Sequence, residues 1–283
     1  MTNDMLLRLL VRLKQENEVP YTSVASGVRK DFESWGIRKG CFVLEKNGNG
    51  KKFKVTSRKT LEFEINRLQP CVDLQNLSPR LQNLAVNKNT KIGDTSLDYT
   101  YCICKAVGED VVVDGCNVSA VTKALGCFSL PIAENTDGVE CNGALMLVEN
   151  QLMIDDLKWL PTEFQGVVLY YAGNLSERTL NWLKKCSFTS ISLFPDYDSV
   201  GINNFANLKA VLPVAQWFWM QDWKNVLEKH GNKNLWTKEN QYALFENLWS
   251  KFMKDGFPDL QLKKLMEEIR KQGKMLEQES ALL

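Results

Sequence analysis

Histidine is almost absent from this sequence, which disfavours one large class of metal sites. His230 is the only histidine in 283 residues, and none of the eight cysteines belongs to a Cys-x-x-Cys pair. Zinc sites are usually built from closely spaced cysteine and histidine ligands. We therefore expect reduced, buried thiols instead of a zinc site. Cys102 and Cys104 are predicted to share one face of a strand.

Long apolar segments are also missing. No run approaches the roughly 18–20 apolar residues that a membrane-spanning helix requires. The N-terminal segment alternates charged and apolar side chains at helical spacing and lacks the uninterrupted apolar stretch of a signal peptide. We therefore expect an intracellular, cytoplasmic protein that has no membrane partner.

The net charge of +1 conceals an uneven distribution. Residues 1–70 contain 14 Lys and Arg against 8 Asp and Glu, a balance of +6, and the remainder contains 21 against 26, a balance of −5. A chain of 283 residues is long enough for two ordinary domains. The charge pattern indicates a basic first module that faces an anionic partner and a mildly acidic body with another role.

The first module shows the element order of a winged helix. Apolar periodicity predicts helices over 4–15, 22–28 and 29–36, with the third ending at Gly36. Two segments of alternating apolar and polar residues flank the Asn-Gly-Asn-Gly sequence at 47–50, and this pattern is a strong β-hairpin signal. A further helix is predicted over 59–68. We assign residues 1–70 to a winged-helix DNA-binding domain.

Basic residues are concentrated in the third helix and the hairpin of this module. Such residues would meet the phosphates of double-stranded DNA and give affinity that depends on salt more than on sequence. The alternatives are a solvated basic face or a winged helix that docks a protein. The candidate DNA-binding residues are Arg29, Lys30, Arg38, Lys39, Lys51, Lys52 and Lys54.

Residues 71–140 carry no chemistry that the sequence identifies. The stretch 71–98 is polar and rich in asparagine, with a helix predicted near 79–87. Short strands at 99–104 and 110–113 and a capped helix at 117–126 follow. We expect a linker and connecting segment here and assign 141–283 to the catalytic domain.

Three apolar runs after residue 143 end in polar residues that are suited to metal binding. The first run ends at Glu149-Asn150, the second at Gly173, and the third at Asp196 and Asp198. Apolar strands that alternate with helices predict a parallel sheet, whose functional groups gather at the carboxyl ends of the strands. Carboxylates that converge there form a hard-oxygen site for Mg²⁺, or for Mn²⁺ in its place. The alternative for these acidic residues is a capping or turn role.

In these motifs the chain resembles the Toprim fold of topoisomerases, primases and related nucleases. The likeness is greatest to the branch that contains topoisomerase VI A subunits and the Wadjet nuclease subunit JetD. This branch has three motifs: a Glu-Asn pair, a Gly at the end of a strand, and an Asp-x-Asp sequence followed by a Gly. The corresponding parts of this sequence are Glu149-Asn150, Gly173 and the segment 196–201. The sequence departs from the pattern at Pro195, where the family usually has Gly.

The resemblance implies a fold and an activity. The fold is α/β, an N-terminal winged helix followed by a Toprim domain with a Rossmann-like parallel sheet. The activity is metal-dependent hydrolysis of DNA phosphodiesters by a homodimer, beside an SMC-like ATPase complex with kleisin-type subunits, in defence against plasmids. Glu149, Asp196 and Asp198 would be catalytic and would hold the metal. JetD-like chains also tend to end with Glu-Gln-Glu, so Glu277 and Glu279 are expected near the metal.

Two other functions stay open at the level of sequence. A topoisomerase-like transesterase would need a tyrosine nucleophile, and Tyr21 is the only tyrosine before Tyr99. A non-catalytic subunit would use the winged helix to bind DNA and the second domain to dock a partner. His230 lies in a polar turn and is expected at the surface. The tryptophans after residue 216 are expected in the core or a dimer interface, with base stacking as the alternative.

Overall fold

The structure is a computed structural model that describes residues 2–48, 50–69, 77–87, 97 and 99–283. The turn residue Asn49, Cys71 and much of the predicted polar linker lie outside the described residues. The chain divides into two compact units, 1–98 and 99–283.

The first unit combines helices with a small antiparallel sheet. Its three strands are ordered β1-β3-β2. In chain order its elements are α1 (Asn3–Glu16), β1 (Glu18–Pro20), a 3-10 turn (Tyr21–Ser23), α2 (Arg29–Lys39), β2 (Phe42–Asn47), β3 (Gly50–Val55), α3 (Arg58–Leu68) and α4 (Pro79–Asn87).

Most of these elements agree with the sequence predictions, including α1, the β2–β3 hairpin, α3 and α4. The predicted helix over 22–28 was wrong, because only the 3-10 turn forms there and Ser23 donates its hydroxyl hydrogen to the carbonyl of Pro20. Strand β1 was not predicted, since it spans three residues and only Val19 is buried. Three residues are too few to show a period of two.

Helix α2 does not end at Gly36, as the sequence had predicted, but continues to Gly40. Gly40 adopts a left-handed conformation (φ 69°) and closes the helix. Gly36 is buried in the last turns of the helix, against the ring of Phe42. Phe42 in turn packs against Phe32 and Phe53, with ring centroids 4.6 Å and 5.4 Å away. Gly36 is thus a packing residue and not a helix terminator.

Replacing Gly36 with alanine is expected to destabilise the protein, although glycine to alanine normally stabilises a helix. A β-carbon at this position would overlap the Phe42 ring. The free energy of unfolding should fall by about 1–3 kcal/mol, the usual cost of overpacking a core. Urea unfolding measures the change. The control is Gly27→Ala, since a β-carbon at Gly27 meets no atom within 4 Å. Equal stability of the two variants would contradict this packing role.

The second unit is built on a six-stranded mixed sheet with the order β11-β10-β8-β9-β4-β7. In chain order its elements are β4 (Thr100–Val107), β5 (Val112–Val113), β6 (Cys116–Asn117), α5 (Val118–Leu125), β7 (Phe128–Ile132), β8 (Ala144–Val148), α6 (Leu152–Asp155), β9 (Gly166–Tyr170), α7 (Glu177–Leu183), β10 (Ile191–Phe194), α8 (Ser199–Val211), β11 (Gln216–Trp217), α9 (Trp223–His230), α10 (Lys233–Trp236), α11 (Glu239–Asp255), α12 (Leu260–Gln272) and a 3-10 turn (Gln278–Leu282).

Strands β9, β8, β10 and β11 run parallel, whereas β4 pairs antiparallel with β9 and β7 pairs antiparallel with β4. The architecture is therefore mixed α/β, and the sheet is not purely parallel. Residues 99–140, expected to be a connecting segment, contribute two strands to this sheet. Pro131 lies in β7, at the edge of the sheet, where a missing N–H does not interrupt the ladder.

The core of the second unit lies on both faces of the parallel strands, which are almost continuously buried. Trp217 packs between Phe205 and Trp219 with ring centroids 5.3 Å and 5.4 Å away, as expected for core aromatics. Cys102 and Cys104 are both buried, as their spacing predicted, whereas Cys116 and Cys127 are exposed and contradict the expectation of buried thiols. Among the described residues, no helix is long and apolar enough to span a membrane.

Candidate functional site

The candidate site lies at the carboxyl ends of β8 and β10. After β8 the chain continues to β9, which lies on one side of β8 in the sheet. After β10 it continues to β11, which lies on the opposite side, so the strand order reverses between β8 and β10. Such a reversal opens a crevice at the carboxyl ends, where ligands bind in open α/β sheets. Val148 and Phe194 are paired at the ends of the two strands. Glu149 follows Val148 directly and Asp196 lies two residues beyond Phe194, so both acidic residues lie at the carboxyl ends of the strands.

Glu149 is held in place by two hydrogen bonds to one carboxylate oxygen. Its Oε2 accepts from the Tyr171 hydroxyl at 3.2 Å and from the backbone N–H of Asp196 at 3.3 Å. The residue is only 8% exposed. The hydrogen bond from Asp196 means that the two acidic residues predicted from the sequence are in direct contact.

Asp196 accepts two hydrogen bonds at its Oδ1. One comes from the backbone N–H of Gln278 at 2.8 Å, and the other from the side-chain amide of Asn150 at 3.1 Å. Asn150 also donates to Oε2 of Glu279 at 3.0 Å. The side-chain amide of Asn150 therefore links the strand-end aspartate to an acidic residue near the end of the chain.

Asp198 is part of the same acidic cluster but also caps helix α8. Its Oδ1 accepts from the backbone N–H of Gly201 at 2.8 Å, and its Oδ2 accepts from the side-chain amide of Gln241 at 2.6 Å. The charge of Asp198 contributes to raising the pKa of both Glu149 and Asp196. The capping role considered for Asp198 is therefore confirmed, and metal binding by this residue stays a prediction.

The two glutamates of the Glu277-Gln278-Glu279 sequence occupy different environments. Helix α12 ends at Gln272, so this segment lies beyond the helix, where a 3-10 turn forms over Gln278–Leu282. Glu279 is half-buried and bonded to Asn150, whereas Glu277 is exposed. The structure therefore brings Glu279 to the acidic cluster and leaves Glu277 at the surface.

Burial and mutual repulsion shift the ionisation of the cluster. Burial, together with the charge of Asp198, raises the pKa of Glu149 to about 7. Burial, together with the charge of Glu149, raises the pKa of Asp196 to about 8. Burial also raises the pKa of Asp198 above its ordinary value. A cluster with these properties is costly to ionise in the absence of a cation.

Without divalent cations, the protein is expected to lose stability as the pH rises. A carboxyl whose pKa is raised by folding binds its proton more tightly in the native state than in the unfolded state. Its stabilisation is complete below the unfolded pKa, about 4, and disappears as the pH passes through the folded values of about 7 and about 8. Urea unfolding in EDTA should show a loss of several kcal/mol between pH 5 and pH 8.5, since each unit of pKa shift corresponds to about 1.4 kcal/mol.

The matched variant for this pH dependence is Glu149→Gln, which removes one of the titrating groups and should flatten the profile. Adding Mg²⁺ should restore stability to the wild type mainly at the alkaline end, because only the ionised cluster binds a cation. Stability in EDTA that increases from pH 5 to pH 8.5 would contradict the raised pKa values.

The donor set of the cluster fits a hard divalent cation. Within the described part of the chain, no lysine or arginine forms an ion pair with Glu149, Asp196, Asp198 or Glu279. Carboxylate oxygens are the ligands that Mg²⁺ prefers. The described residues do not hold three acidic, cysteine or histidine side chains already arranged around a metal position. The ligand types and the charge of the cluster therefore suit a divalent cation, but the described side chains do not surround a metal position.

The sequence identified Asn150 but not Tyr171 and Asn204, two further neutral residues that support the cluster. Asn204 on α8 accepts from the N–H of Leu175 at 3.2 Å and donates to the carbonyl of Gly173 at 2.8 Å, which fixes the loop after β9. Tyr171 begins that loop and bonds to Glu149. Helix α8 contains several other polar residues, so no sequence signal distinguishes Asn204. Its partners are set by the tertiary fold.

The candidate DNA-binding residues of the first unit fall into three groups. Lys39, Lys52 and Lys54 form ion pairs with Glu64, Glu18 and Glu45. Among the residues that the structure describes, three others are exposed and form no ion pair. These are Lys30, Arg38 and Lys51.

Arg29 forms the third group, because its side chain serves the fold. Its guanidinium donates to the carbonyls of Val24 and Thr22 at 2.6 Å and 2.9 Å and lies over the ring of Tyr21. Tyr21 also packs against Phe53, with ring centroids 5.4 Å apart. Arg29 is thereby removed from the candidate DNA surface, and Tyr21 is a half-buried packing residue. His230 is exposed, as expected.

Comparison with protein-family models finds no match for this chain, and comparison with curated proteins finds no significant relative.

Proposed function

We propose that this protein is a metal-dependent DNA endonuclease with an N-terminal winged helix and a Toprim domain, similar to JetD. The observation that carries the proposal is the acidic cluster. Glu149 and Asp196 leave neighbouring parallel strands at the point where the strand order reverses, and they lie beside Asp198 and Glu279. Buried carboxylates attract Mg²⁺ or Mn²⁺, and among the described residues only the charge of Lys238 acts on Asp198 in the opposite sense, without forming an ion pair.

In this proposal the residues of the chain hold and orient the ligands of the cation. Glu149 and Asp196 bind it, with Asp198 and Glu279 at its margin. Tyr171 fixes the direction of the Glu149 carboxylate, and Asn150 fixes that of Asp196. A bound divalent cation supplies electrostatic stabilisation of the charge that develops on the phosphodiester during hydrolysis.

The first unit supports a role in binding double-stranded DNA. Helices α1 and α2 precede the β2–β3 hairpin, a helix–hairpin order that also occurs in winged helices, although a 3-10 turn replaces the second of the three predicted helices. The exposed Lys30, Arg38 and Lys51 are free to meet phosphates. Their contribution is expected to be largely independent of DNA sequence and to weaken with salt.

Hydrolysis is favoured over transesterification because of the environment of Tyr21. Its ring packs against Phe53 and under the Arg29 guanidinium. A nucleophilic tyrosine must present its hydroxyl to a phosphodiester, and these contacts commit the ring to the core of the first unit. The resemblance to JetD further leads us to propose a homodimer that works beside an SMC-like ATPase complex with kleisin-type subunits in defence against plasmids.

The direct test is incubation of the purified protein with supercoiled plasmid and Mg²⁺ or Mn²⁺. We expect nicked and linear products with ends free of protein, equal cleavage by Tyr21→Phe, and no cleavage in EDTA. Slow cleavage by the isolated chain is expected if the SMC-like complex gates the site. A phosphotyrosyl adduct that disappears in Tyr21→Phe would identify a transesterase. DNA binding without cleavage under every metal and partner condition would favour the non-catalytic subunit.

A further inference from the structure

Gln278 stands out among the residues around the acidic cluster because it is completely buried and uses its whole amide group. Its exposed fraction is 0%. Its Oε1 accepts from the backbone N–H of Asn150 at 3.0 Å, and its Nε2 donates to the carbonyl of Phe194 at 2.8 Å. Its own backbone N–H donates to Asp196. One residue near the end of the chain thus contacts the ends of both β8 and β10.

These contacts place the Gln278 amide where the ladder between the two strands stops. Val148 and Phe194 are the last paired residues of β8 and β10. Beyond them, the N–H of Asn150 and the carbonyl of Phe194 bond to the glutamine side chain and not to each other. The side-chain amide therefore acts as a peptide group inserted between two diverging strands. Its length sets how far apart the strand ends lie.

The width of this crevice determines the relative positions of the carboxylates. Glu149 directly precedes Asn150, and Asp196 is two residues beyond Phe194. Residues that orient metal ligands through hydrogen bonds affect metal affinity strongly, because the ligands must be held in the correct geometry. We propose that Gln278 is a positioning residue that sets the spacing of Glu149 and Asp196 for cation binding. This inference rests on the proposed function.

Attachment of the C-terminal segment is a different role, and other residues perform it. Met275 forms backbone hydrogen bonds with Asn232, and Leu276 forms them with Tyr197. Both Met275 and Leu276 are buried. Loss of the Gln278 amide is therefore expected to leave the segment in place, so that spacing and attachment can be tested separately.

The test is calorimetric titration of Mn²⁺ into the full chain at pH 8, with Gln278→Met and Gln278→Asn. Methionine keeps the length of the side chain but cannot hydrogen-bond. Asparagine keeps the amide but is one methylene too short to reach both strands. Each variant is expected to bind Mn²⁺ about 10–100-fold more weakly, the usual effect of losing a residue that supports a metal ligand. Near-UV circular dichroism checks that each variant is folded, and if the methionine variant is not, the asparagine variant decides.

Two control variants separate spacing from stability. Gln165→Met removes a glutamine that also donates to a backbone carbonyl, that of Glu109, and should leave affinity unchanged. Leu276→Ala loosens the C-terminal segment and should lower the melting temperature with less than a threefold effect on affinity.

The possible failures are distinguishable. Wild-type affinity in a folded Gln278→Met or Gln278→Asn protein overturns this inference alone. So does a Leu276→Ala protein that loses Mn²⁺ affinity as severely as they do. Absence of Mn²⁺ binding by the wild type overturns the proposed function and this inference together.

Discussion

Glu149→Gln and Asp196→Asn are each expected to reduce metal-dependent DNA cleavage on the order of 100-fold or more. Both substitutions keep the shape of the side chain and remove its charge. Asparagine at 196 still offers a carbonyl oxygen to the N–H of Gln278, so the local fold should be retained. The loss would therefore report the missing negative charge and not a collapsed crevice. Plasmid cleavage at saturating DNA, measured against Mg²⁺ concentration, gives the effect.

The matched control for the Glu149 variant is Glu134→Gln, which neutralises an exposed glutamate in a loop. It should cleave like the wild type. Both site variants should also be at least as stable as the wild type in EDTA at pH 8.5, because each removes a charge that is costly to bury. Unimpaired cleavage by either site variant would show that the acidic cluster is not the catalytic centre.

Gly201→Ala is the substitution outside the acidic side chains that should affect the site most. Gly201 lies in the first turn of α8, and a β-carbon there would overlap the carbonyl oxygen of Asp196 and approach Pro195. The backbone that carries Asp196 must then move away from α8, which disturbs the hydrogen bond from its N–H to Glu149. A displacement of about 1 Å costs on the order of 100-fold in rate, and the overlap lowers the free energy of unfolding by about 1–3 kcal/mol.

Cleavage assays and urea unfolding together test this prediction, with Gly27→Ala as the glycine that has room for a methyl group. The expected signature is a loss of cleavage that persists at temperatures where the variant is fully folded. A Gly201→Ala protein with normal cleavage and normal stability would mean that the Asp196 backbone does not need this close approach.

The strands that carry the acidic residues could be predicted from the sequence because they are continuously apolar. Runs such as the one ending at Glu149 are typical of strands buried on both faces. The antiparallel strands β4 and β7 were harder, since half of their residues face solvent and Pro131 interrupts the pattern. Their positions in the sheet depend on pairing between residues that are far apart in the sequence, and a local sequence pattern does not indicate such pairing.

The candidate site was predictable in its acidic residues and not in its supporting groups. Position after a strand identified Glu149 and Asp196. No feature of the sequence distinguished Glu277 from Glu279, because their separation arises from the turn that follows α12. Gln278 and Asn150 are far apart in the chain, and neither residue has a local pattern that indicates their hydrogen bond.

The basic surface shows the same division between residue type and environment. Arg29 and Lys30 are adjacent and chemically similar, yet Arg29 bonds to backbone carbonyls while Lys30 is exposed. A count of positive charges shows that the first part of the chain is basic. The count does not show which lysine and arginine side chains form contacts within the fold.

Binding of a divalent cation by the acidic cluster at the ends of β8 and β10 is tested most directly by calorimetry. Mg²⁺ and Mn²⁺ are titrated into the wild type and the Glu149→Gln, Asp196→Asn double variant at pH 8. We expect saturable binding by the wild type and at least a 100-fold weaker affinity in the folded double variant. Equal binding by the two proteins, or no binding by the wild type, would contradict it.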